Sequence, residues 1–240
     1  MDPPAKYQRI LLKLSGEAIS GPGSFGIDPP SIEQLTDEIK KVVKMGVQLG
    51  VVIGGGNIVR GEMFSNREGM ERVSADYMGM LATVINALAL QGFLERKGLH
   101  TRVLTAIRME QLAEPYIRRR ALRHMEKGRI VIFAGGTGNP YLTTDTAAVL
   151  RAIEIEAEVL LKGTKVEGVY TKDPQVHSDA EFISEISYMD VLKKGLRIMD
   201  STAITLCMDN KIPLIIFNIQ KKDGIARIIK GERIGTIIKE

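Results

Sequence analysis

The stretch IVIFAGGTGNPYLTTD, residues 130–145, indicates the fold of the whole chain. Its first five residues are apolar and mostly β-branched, so they predict a buried strand. Glycines and an Asn-Pro pair then fix an irregular turn, and Thr143-Thr144-Asp145 is typical of the start of a helix. A buried strand that leads through a glycine turn into a helix is the repeating unit of α/β folds. Such sheets bind ligands at the carboxyl ends of their strands.

The same alternation extends along the chain in both directions. Short apolar runs predict strands at residues 7–14, 47–53, 101–105, 159–162 and 214–218. Helical spacing predicts helices at residues 31–46, 74–97, 116–127, 145–155, 189–195 and 201–210, with Ser31 as the N-cap of the first, before a last helix and strand. We therefore expect an α/β fold with a largely parallel sheet covered on both faces, and no boundary divides residues 1–240 into separate domains.

The composition argues against several classes of protein. The chain has 240 residues, 44% of them hydrophobic and 26% charged, and a net charge of +4, as in ordinary globular domains. The single cysteine, Cys207, cannot form an intramolecular disulfide or a Cys-rich metal site, and we expect it in the core. The three histidines lie far apart in sequence, so we assign them no metal. Without a secretion signal or an apolar run of about 18 residues, we expect a cytoplasmic protein that does not bind membranes.

Two further glycine-rich loops follow directly on predicted strands. The first is Lys13-Leu14-Ser15-Gly16, in which the lysine can hold phosphate oxygens and Gly16 lets the backbone approach a ligand; a solvated lysine is the alternative. The second is Gly54-Gly55-Gly56-Asn57, followed by Arg60, whose N–H groups and guanidinium suit an anion. A tight strand-to-helix turn is the alternative there, but such a turn seldom needs three glycines.

Two positions near these loops have more than one interpretation. Asp145 either stands in the first turn of a helix, where the helix dipole favours a carboxylate, or orients a lysine or Mg²⁺ near a transferring phosphate. The segment KGTKVEGVYTKDP, residues 162–174, contains Tyr170, on which a base can stack. The same segment also fits a surface turn with solvated lysines.

Three tempting patterns do not support the functions they suggest. GPGSFG, residues 21–26, matches the dinucleotide fingerprint, but that fingerprint must leave a strand, and the preceding strand ends at Leu14. The pattern G-x-x-x-x-G-K-[ST] is absent, which argues against a P-loop kinase. The run Arg118-Arg119-Arg120 lacks interleaved aromatic residues, so we expect a solvated or subunit-facing helix surface and no binding of nucleic acid.

The three loops, taken in this order with residues 162–174, resemble the amino-acid-kinase family, and within it the bacterial UMP kinases (uridylate kinases). The resemblance extends from Tyr7 to about Glu240. It implies a single-domain three-layer α/β/α sandwich with a mainly parallel central sheet. The activity it implies is transfer of the γ-phosphoryl group of ATP to UMP, giving UDP and ADP in pyrimidine nucleotide biosynthesis.

The resemblance also implies roles for individual residues. For ATP it implies contacts from Lys13, Leu14, Ser15, Gly16, Gly56, Arg60, Thr164, Tyr170 and Asp173. For UMP it implies contacts from Gly55, Asp76, Thr137, Gly138, Asn139, Pro140, Tyr141, Leu142, Thr143 and Thr144. The implied catalytic set is Lys13, Arg60, Asp145 and Asp200, with Lys13 as the transition-state cation and Asp145 organising lysine and metal.

Regulation and assembly are implied in the same way. Gly21, Pro22, Gly23, Ser24, Phe25 and Gly26 correspond to the segment implicated in activation by GTP, and UTP is the expected inhibitor. Mg²⁺ is expected with ATP, without an assigned protein ligand. The chain is expected to form a homohexamer in the cytoplasm.

Other activities of this fold and of similar sequence patterns remain as alternatives. Relatives phosphorylate carboxylates or carbamate with a similar ATP half, and a molybdenum storage protein that the family resembles binds ATP. A dehydrogenase is disfavoured by the misplaced glycine fingerprint. Lys13, Arg60 and Asp145 favour a kinase over the storage protein, and Asp76 with the Thr-Gly-Asn-Pro loop favours a nucleotide acceptor. Tyr141-Leu142 stands where the family often has two aromatic residues, which weakens the expectation of base stacking there.

Overall fold

The computed structural model describes residues 5–23, 25–59, 70–174, 176–196 and 198–240. The strands in these ranges are β1 (Arg9–Leu14), β2 (Gln48–Ile53), β3 (Thr101–Thr105), β4 (Glu114–Pro115), β5 (Ile130–Ala134), β6 (Val159–Thr164), β7 (Val169–Tyr170), β8 (Phe182–Ile183), β9 (Glu185–Ser187), β10 (Leu214–Asn218) and β11 (Thr236–Lys239). The helices are α1 (Pro29–Lys44), α2 (Arg72–Arg96), α3 (Arg118–Glu126), α4 (Thr144–Glu154), α5 (Tyr188–Lys193), α6 (Ser201–Asp209) and α7 (Gly224–Ile229). Two short 3-10 helices span Gly16–Ile19 and Gly21–Gly23.

Nine of these strands form one sheet in the order β4-β3-β5-β2-β1-β6-β10-β11-β9. All neighbours pair in parallel except β10 and β11, which pair antiparallel. β1 therefore lies between β2 and β6, and the carboxyl ends of these three strands are adjacent. The remaining strands, β7 and β8, form a separate two-stranded antiparallel sheet.

Alternate strand residues supply two cores, one on each face of the sheet. In β1, Ile10, Leu12 and Leu14 pack in the core covered by α1, α2 and α7, whereas Leu11 packs in the core covered by α3 to α6. Because both faces are covered, the strands are apolar throughout rather than alternating. The predicted three-layer α/β/α sandwich is confirmed, and Cys207 is fully buried as expected.

Helix α2 is long and apolar enough to cross a membrane by length and composition alone. Its residues Val84, Ala87, Leu90 and Leu94 are buried in the core beside the sheet. These positions recur with helical periodicity, so α2 covers the sheet along much of its length. We therefore describe α2 as a core helix of the domain.

The start of α1 differs from the sequence prediction. Asp28, not Ser31, is the N-cap, and its side chain accepts hydrogen bonds from Ser31 N at 2.9 Å and Ser31 Oγ at 2.6 Å. The prediction began the helix at the first apolar position. Prolines suit the first turn of a helix because their missing N–H would have no partner there, so Pro29 and Pro30 extend the helix towards its N-terminus.

The arginine run lies in the first turn of α3. There Arg118 forms an ion pair with Glu156, and Arg120 approaches Glu114 at 3.6 Å. These contacts attach α3 to neighbouring elements of the domain. The three arginines lie on the exposed surface of α3, and the expectation that this surface is solvated or faces a subunit stays a prediction.

Candidate active site

The three glycine-rich loops meet at the carboxyl edge of the sheet. Lys13 is paired in register with Lys162 on the neighbouring strand β6, so both side chains leave the sheet on the same face. The loop after β2 is tied to the end of β1 by Gly54 N, which donates to Leu14 O at 2.9 Å. The loop after β5 leads into α4, which begins at the same edge. Loops distant in sequence therefore form one site, as open parallel sheets require.

At the centre of this edge Asp145 bridges two lysines. The Lys13 Nζ lies 2.6 Å from Asp145 Oδ1, and the Lys162 Nζ lies 2.7 Å from Asp145 Oδ2. The three side chains are only 10%, 14% and 12% exposed, respectively for Lys13, Asp145 and Lys162. Lys162 also donates to the carbonyl of Ile198. We call these three residues the lysine triad.

Burial and neighbouring charge act in opposite directions on this triad. Burial would raise the pKa of Asp145, but the two lysine charges outweigh burial and hold that pKa below its ordinary value. For Lys162, burial and the charge of Lys13 lower the pKa, although Asp145 opposes them. The ionised form of Asp145 is therefore strongly favoured, whereas the protonated form of Lys162 is disfavoured by its burial and by the charge of Lys13.

Asp145 both stands at the start of a helix and contacts lysines, whereas its predicted role near a transferring phosphate stays a prediction. It lies in the first turn of α4, whose N-cap is Thr143, with Thr143 Oγ1 accepting from Asp145 N at 3.0 Å. Its side chain meanwhile binds the two lysines. Lys162 was named in the sequence only as part of a segment, and its register opposite Lys13 is the signal that assigns it to this site.

Asp200 joins two helices next to the triad. It is the N-cap of α6, accepting from Ala203 N at 2.8 Å, and it also accepts from the hydroxyls of Thr143 and Thr146 on the first turn of α4. Its carboxylate is thus engaged by hydroxyl and backbone donors. In this arrangement Asp200 holds the N-terminus of α4 in place, and it thereby also fixes the position of Asp145 in the first turn of that helix.

A cavity of about 150 Å³ opens between α2 and the second and third loops, and we call it the Gly55 cavity. Its walls include Gly55, Gly56, Asp76, Leu142 and Thr144. A Cβ at Gly55 would come within 2.7 Å of Gly79 O, so the loop passes too close to α2 for any side chain at that position. This cavity brings together residues from all three parts of the sequence predicted to bind UMP: Gly55, Asp76 and the loop at residues 137–144.

Asp76 connects α2 to the third loop. Its carboxylate accepts from Tyr141 N at 2.8 Å and from Arg72 Nε at 3.0 Å. Tyr141 has a positive φ of 68°, which is unusual for a residue other than glycine, and its ring is exposed beside Arg72. The loop from Thr137 also turns through Gly138, with φ of +80°. Asp76 therefore holds the third loop in a strained conformation.

Two further cavities of about 410 Å³ each open near the carboxyl ends of β1 and β6, and only the second is lined by residues of the triad. We call the first the Ser15 cavity, because Ser15 lines it together with Thr164 and Lys165. The second, the Met199 cavity, is lined by Lys162, Asp145 and apolar residues from α5, α6 and the loop between them: Val191, Leu192, Leu196, Ile198, Met199 and Ile204. Either cavity has room for part of a nucleotide.

Other predicted positions lie outside these cavities in the described part of the chain, or have side chains that point elsewhere. The ring of Tyr170 packs edge-on against Phe182 at 5.5 Å between ring centroids, and Asp173 lies in an exposed turn beyond it. Leu14 is fully buried in the core, so only its backbone can meet a ligand. Arg60 and Ser24 lie outside the described residues.

Comparison with known proteins assigns the class. The chain belongs to the amino acid kinase family, whose model matches residues 8–218. It is similar in structure to the UMP kinase from Bacillus anthracis, with 40% identity, a TM-score of 0.94 and coverage of 97% of this chain and 96% of that one. It is likewise similar to the UMP kinase from Ureaplasma parvum, with 37% identity, a TM-score of 0.91 and coverage of 98% and 100%. For the uridylate kinase from Archaeoglobus fulgidus the identity is 27%, the TM-score 0.73 and the coverage 95% and 99%.

The lysine triad predicts a specific pH dependence of stability for Asp145→Asn. Without the carboxylate, Lys13 and Lys162 face each other uncompensated, so we expect the free energy of unfolding at pH 7 to fall by about 3–5 kcal/mol. The deficit should shrink as the pH rises towards about 10, because deprotonating a lysine removes the repulsion. It should also shrink in acid, since the native protein loses the Asp145 contribution as the pH falls through the lowered pKa of that carboxyl.

Urea unfolding of the native and variant proteins from pH 3 to pH 10 measures this dependence. The exposed Asp209→Asn is the control, which should change stability by less than about 0.5 kcal/mol. A deficit that stays constant between pH 7 and pH 10 would show that lysine repulsion is not its cause.

Proposed function

We propose that this chain transfers the γ-phosphoryl group of ATP to UMP, giving ADP and UDP, as a step of pyrimidine nucleotide synthesis in the cytoplasm. The observation that carries the proposal is the lysine triad, which holds two buried ammonium groups at the edge where the glycine-rich loops meet. Similarity to two UMP kinases at 40% and 37% identity supports UMP as the acceptor.

Phosphoryl transfer requires mainly that the protein position its substrates and surround the moving charge with cations. Asp145 holds the two ammonium groups in fixed places, and two positive charges on one carboxylate leave a net positive charge to face phosphate. We assign Lys13 as the transition-state cation. Arg60 is proposed as a second cation from the sequence alone. No protein nucleophile is needed in this reaction.

We place ATP on the β1 and β6 side of the site. Ser15 and Gly16 follow Lys13 and Leu14 in the chain, and Ser15 and Thr164, each two residues after a lysine of the triad, line the Ser15 cavity. The proposed contacts for the phosphates are Lys13, Leu14, Ser15, Gly16, Gly56 and Arg60, and those for adenosine are Thr164, Tyr170 and Asp173.

We propose that Mg²⁺ arrives bound to ATP. Asp145 is occupied by two lysines and Asp200 by hydroxyl and backbone donors, and the described residues contain no cluster of three or more His, Cys, Asp or Glu side chains suited to a metal. This donor set fits a cation held largely by phosphate oxygens and water. When bound, Mg²⁺ would neutralise charge on those oxygens.

We place UMP in and around the Gly55 cavity. Gly55 supplies backbone close to the phosphate, and the carboxylate of Asp76 suits the hydroxyls of a ribose. The loop Thr137–Thr144 closes over the nucleotide in this arrangement. Because Tyr141 N donates a hydrogen bond to Asp76, α2 and this loop stand side by side, and an acceptor in this cavity would contact both.

Activation by GTP, inhibition by UTP and assembly as a homohexamer are parts of the same proposal. The exposed ring of Phe25, in the segment assigned to GTP, supports a contact outside the domain core. For assembly, α2 exposes Tyr77, Leu81 and Ile85 at four-residue spacing, which forms an apolar stripe on its outer face. Sedimentation velocity that finds only a 26.5 kDa species at micromolar concentration would contradict self-association.

The direct test supplies MgATP with one acceptor at a time and follows release of ADP. We expect ADP with UMP and not with CMP, aspartate or acetylglutamate, faster release on adding GTP and slower release on adding UTP. Release of ADP with a carboxylate acceptor would show instead that the chain has another activity of its family. ATP binding without ADP from any acceptor would favour a storage or regulatory role.

Lys13→Ala tests the catalytic cation. We expect kcat to fall on the order of 10²- to 10³-fold, because one preorganised charge no longer meets the transition state, while Asp145 keeps its second lysine partner. Lys97→Ala is the matched control, since Lys97 is also largely buried and ion-paired, with Asp37, but lies at the C-terminal end of α2, away from the three loops. An unchanged kcat in Lys13→Ala would refute the role.

Asp76→Asn separates recognition of UMP from positioning of the loop. An asparagine keeps an oxygen that can accept from Tyr141 N, but it offers no charge to ribose hydroxyls. We expect the KM for UMP to rise on the order of 10- to 100-fold, as expected for losing a hydrogen bond to a charged group, with the KM for ATP unchanged. Asp37→Asn, on α1, is the control. Equal changes in both KM values would contradict a specific contact with UMP.

A further inference from the structure

Two asparagine side chains lie buried beneath the second glycine-rich loop. Asn57, at the end of that loop, is 1% exposed, and Asn86, in the middle of α2, is fully buried. Asn86 Nδ2 donates to Asn57 Oδ1 at 2.7 Å, and Asn57 Nδ2 donates to Asn86 Oδ1 at 3.2 Å. We call these two residues the asparagine pair.

The pair also binds the backbone on both sides. Asn86 Nδ2 donates to Gly54 O at 2.7 Å, at the start of the loop. Asn57 Nδ2 donates to Gly26 O at 2.6 Å, while the Asn57 carbonyl accepts from Gly26 N at 2.8 Å. Both amide groups therefore have all their N–H donors paired inside the protein.

The asparagine pair leaves no space for a side chain at Gly16 in the first loop. A Cβ at Gly16 would collide with the side-chain oxygen of Asn57 and would lie 2.9 Å from Gly54 O. Gly16 directly follows Lys13-Leu14-Ser15, so the Asn57 side chain fixes how closely the first and second loops approach. The first loop, the second loop and Gly26 thus all meet at one amide.

Helix α2 holds the third loop from the next turn. Thr83 Oγ1 accepts from Gly135 N at 2.8 Å, and Thr83 is three residues from Asn86, on the same side of the helix. Asn86 itself does not line the Gly55 cavity, whereas Thr83 does. Polar groups in the interior of an otherwise apolar helix thus fix the loops on which phosphate positions depend.

An apolar side chain of similar size would fill the space of Asn86 in the core equally well, so packing alone does not account for an amide there. A buried amide is favourable only when its donors and acceptors are paired, and a fully paired network makes the local structure rigid and unique. Every contact of the asparagine pair goes to a loop or to Gly26, and each amide has its other partner in the pair. The network therefore determines backbone position in the site rather than core volume.

We propose that Asn86 is a positioning residue for phosphoryl transfer, which acts through Asn57 to set the backbone of the second loop and to tie Gly26 to it. This inference rests on the proposed function. Loosening the pair would displace the loop N–H groups and the reacting phosphates from alignment, and displacements of about 1 Å can cost on the order of 10²-fold in rate.

The test compares Asn86→Leu, which keeps the size but removes the amide, with Asn57→Ala and with the double variant. We expect each single variant to lower kcat about 10- to 100-fold with the KM for ATP changed less than about threefold. The double variant should be no slower than the slower single one, because both substitutions disrupt the same network. Hydrogen exchange at the Gly26 amide should become faster in Asn86→Leu. If Asn86→Leu does not fold, the isosteric Asn86→Asp takes its place in every measurement.

Thr101→Val is the matched control. It also removes a buried side-chain hydrogen bond that connects α2 to its surroundings, from Thr101 Oγ1 to Glu95 Oε1 at 2.9 Å, but at the far end of the helix. It should lower the melting temperature without lowering kcat or changing exchange at Gly26. A folded Asn86 variant with native kcat, or a double variant whose loss is the product of the single losses, would overturn the proposal. If the native protein does not phosphorylate UMP, the proposed function is refuted. In that case hydrogen exchange tests the inference on its own, and unchanged exchange at the Gly26 amide in the Asn86 variant would overturn it.

Discussion

One carboxylate shared by two lysines is the constraint on which the rest of the structure depends. Moving three charges out of water is costly, and their attraction compensates only when the distances are short. Short distances in turn require β1 and β6 to be neighbours in this register and α4 to begin at their carboxyl ends. The stability of the domain and the placement of two positive charges at the carboxyl edge of the sheet therefore have the same structural origin. Removing one of the three charged side chains leaves the remaining buried charge without compensation, which lowers the stability of the domain.

Helix α2 meets a second requirement, which is to hold flexible glycine-rich loops without filling the space that a ligand needs. It does so with polar side chains set at intervals along an apolar helix: Asp76 binds Tyr141 N, Thr83 binds Gly135 N and Asn86 binds Gly54 O. Glycine loops have much conformational freedom to lose on ordering. A hydrogen bond to each loop from one rigid helix reduces that freedom before any ligand binds. The cavity between them is therefore shaped largely by α2.

Local sequence predicted the buried strands, the three glycine-rich loops and the sandwich, because apolar runs and glycine turns encode these features within a few residues of each other. It misassigned the cap of α1, where two prolines extend the helix to Asp28. It also missed β4, β7, β8 and β9, whose two or three residues show no periodicity. The pairing of Lys162 with Asp145, and the burial of Asn86 against Asn57, depend on register and packing between distant segments. No window of the sequence contains both partners, and only the fold brings them together.

The third loop shows how recognition and conformation depend on the same atoms. A tyrosine backbone in the left-handed region costs on the order of 1–3 kcal/mol and persists only when the surroundings impose it. Here Asp76 imposes it by accepting from Tyr141 N, while its partner Arg72 lies beside the exposed ring. Any change at the Asp76 carboxylate therefore also changes how this loop is held. Because Asp76 and Leu142 both line the Gly55 cavity, the shape of that cavity depends on this hydrogen bond as well as on the sequence of the loop itself.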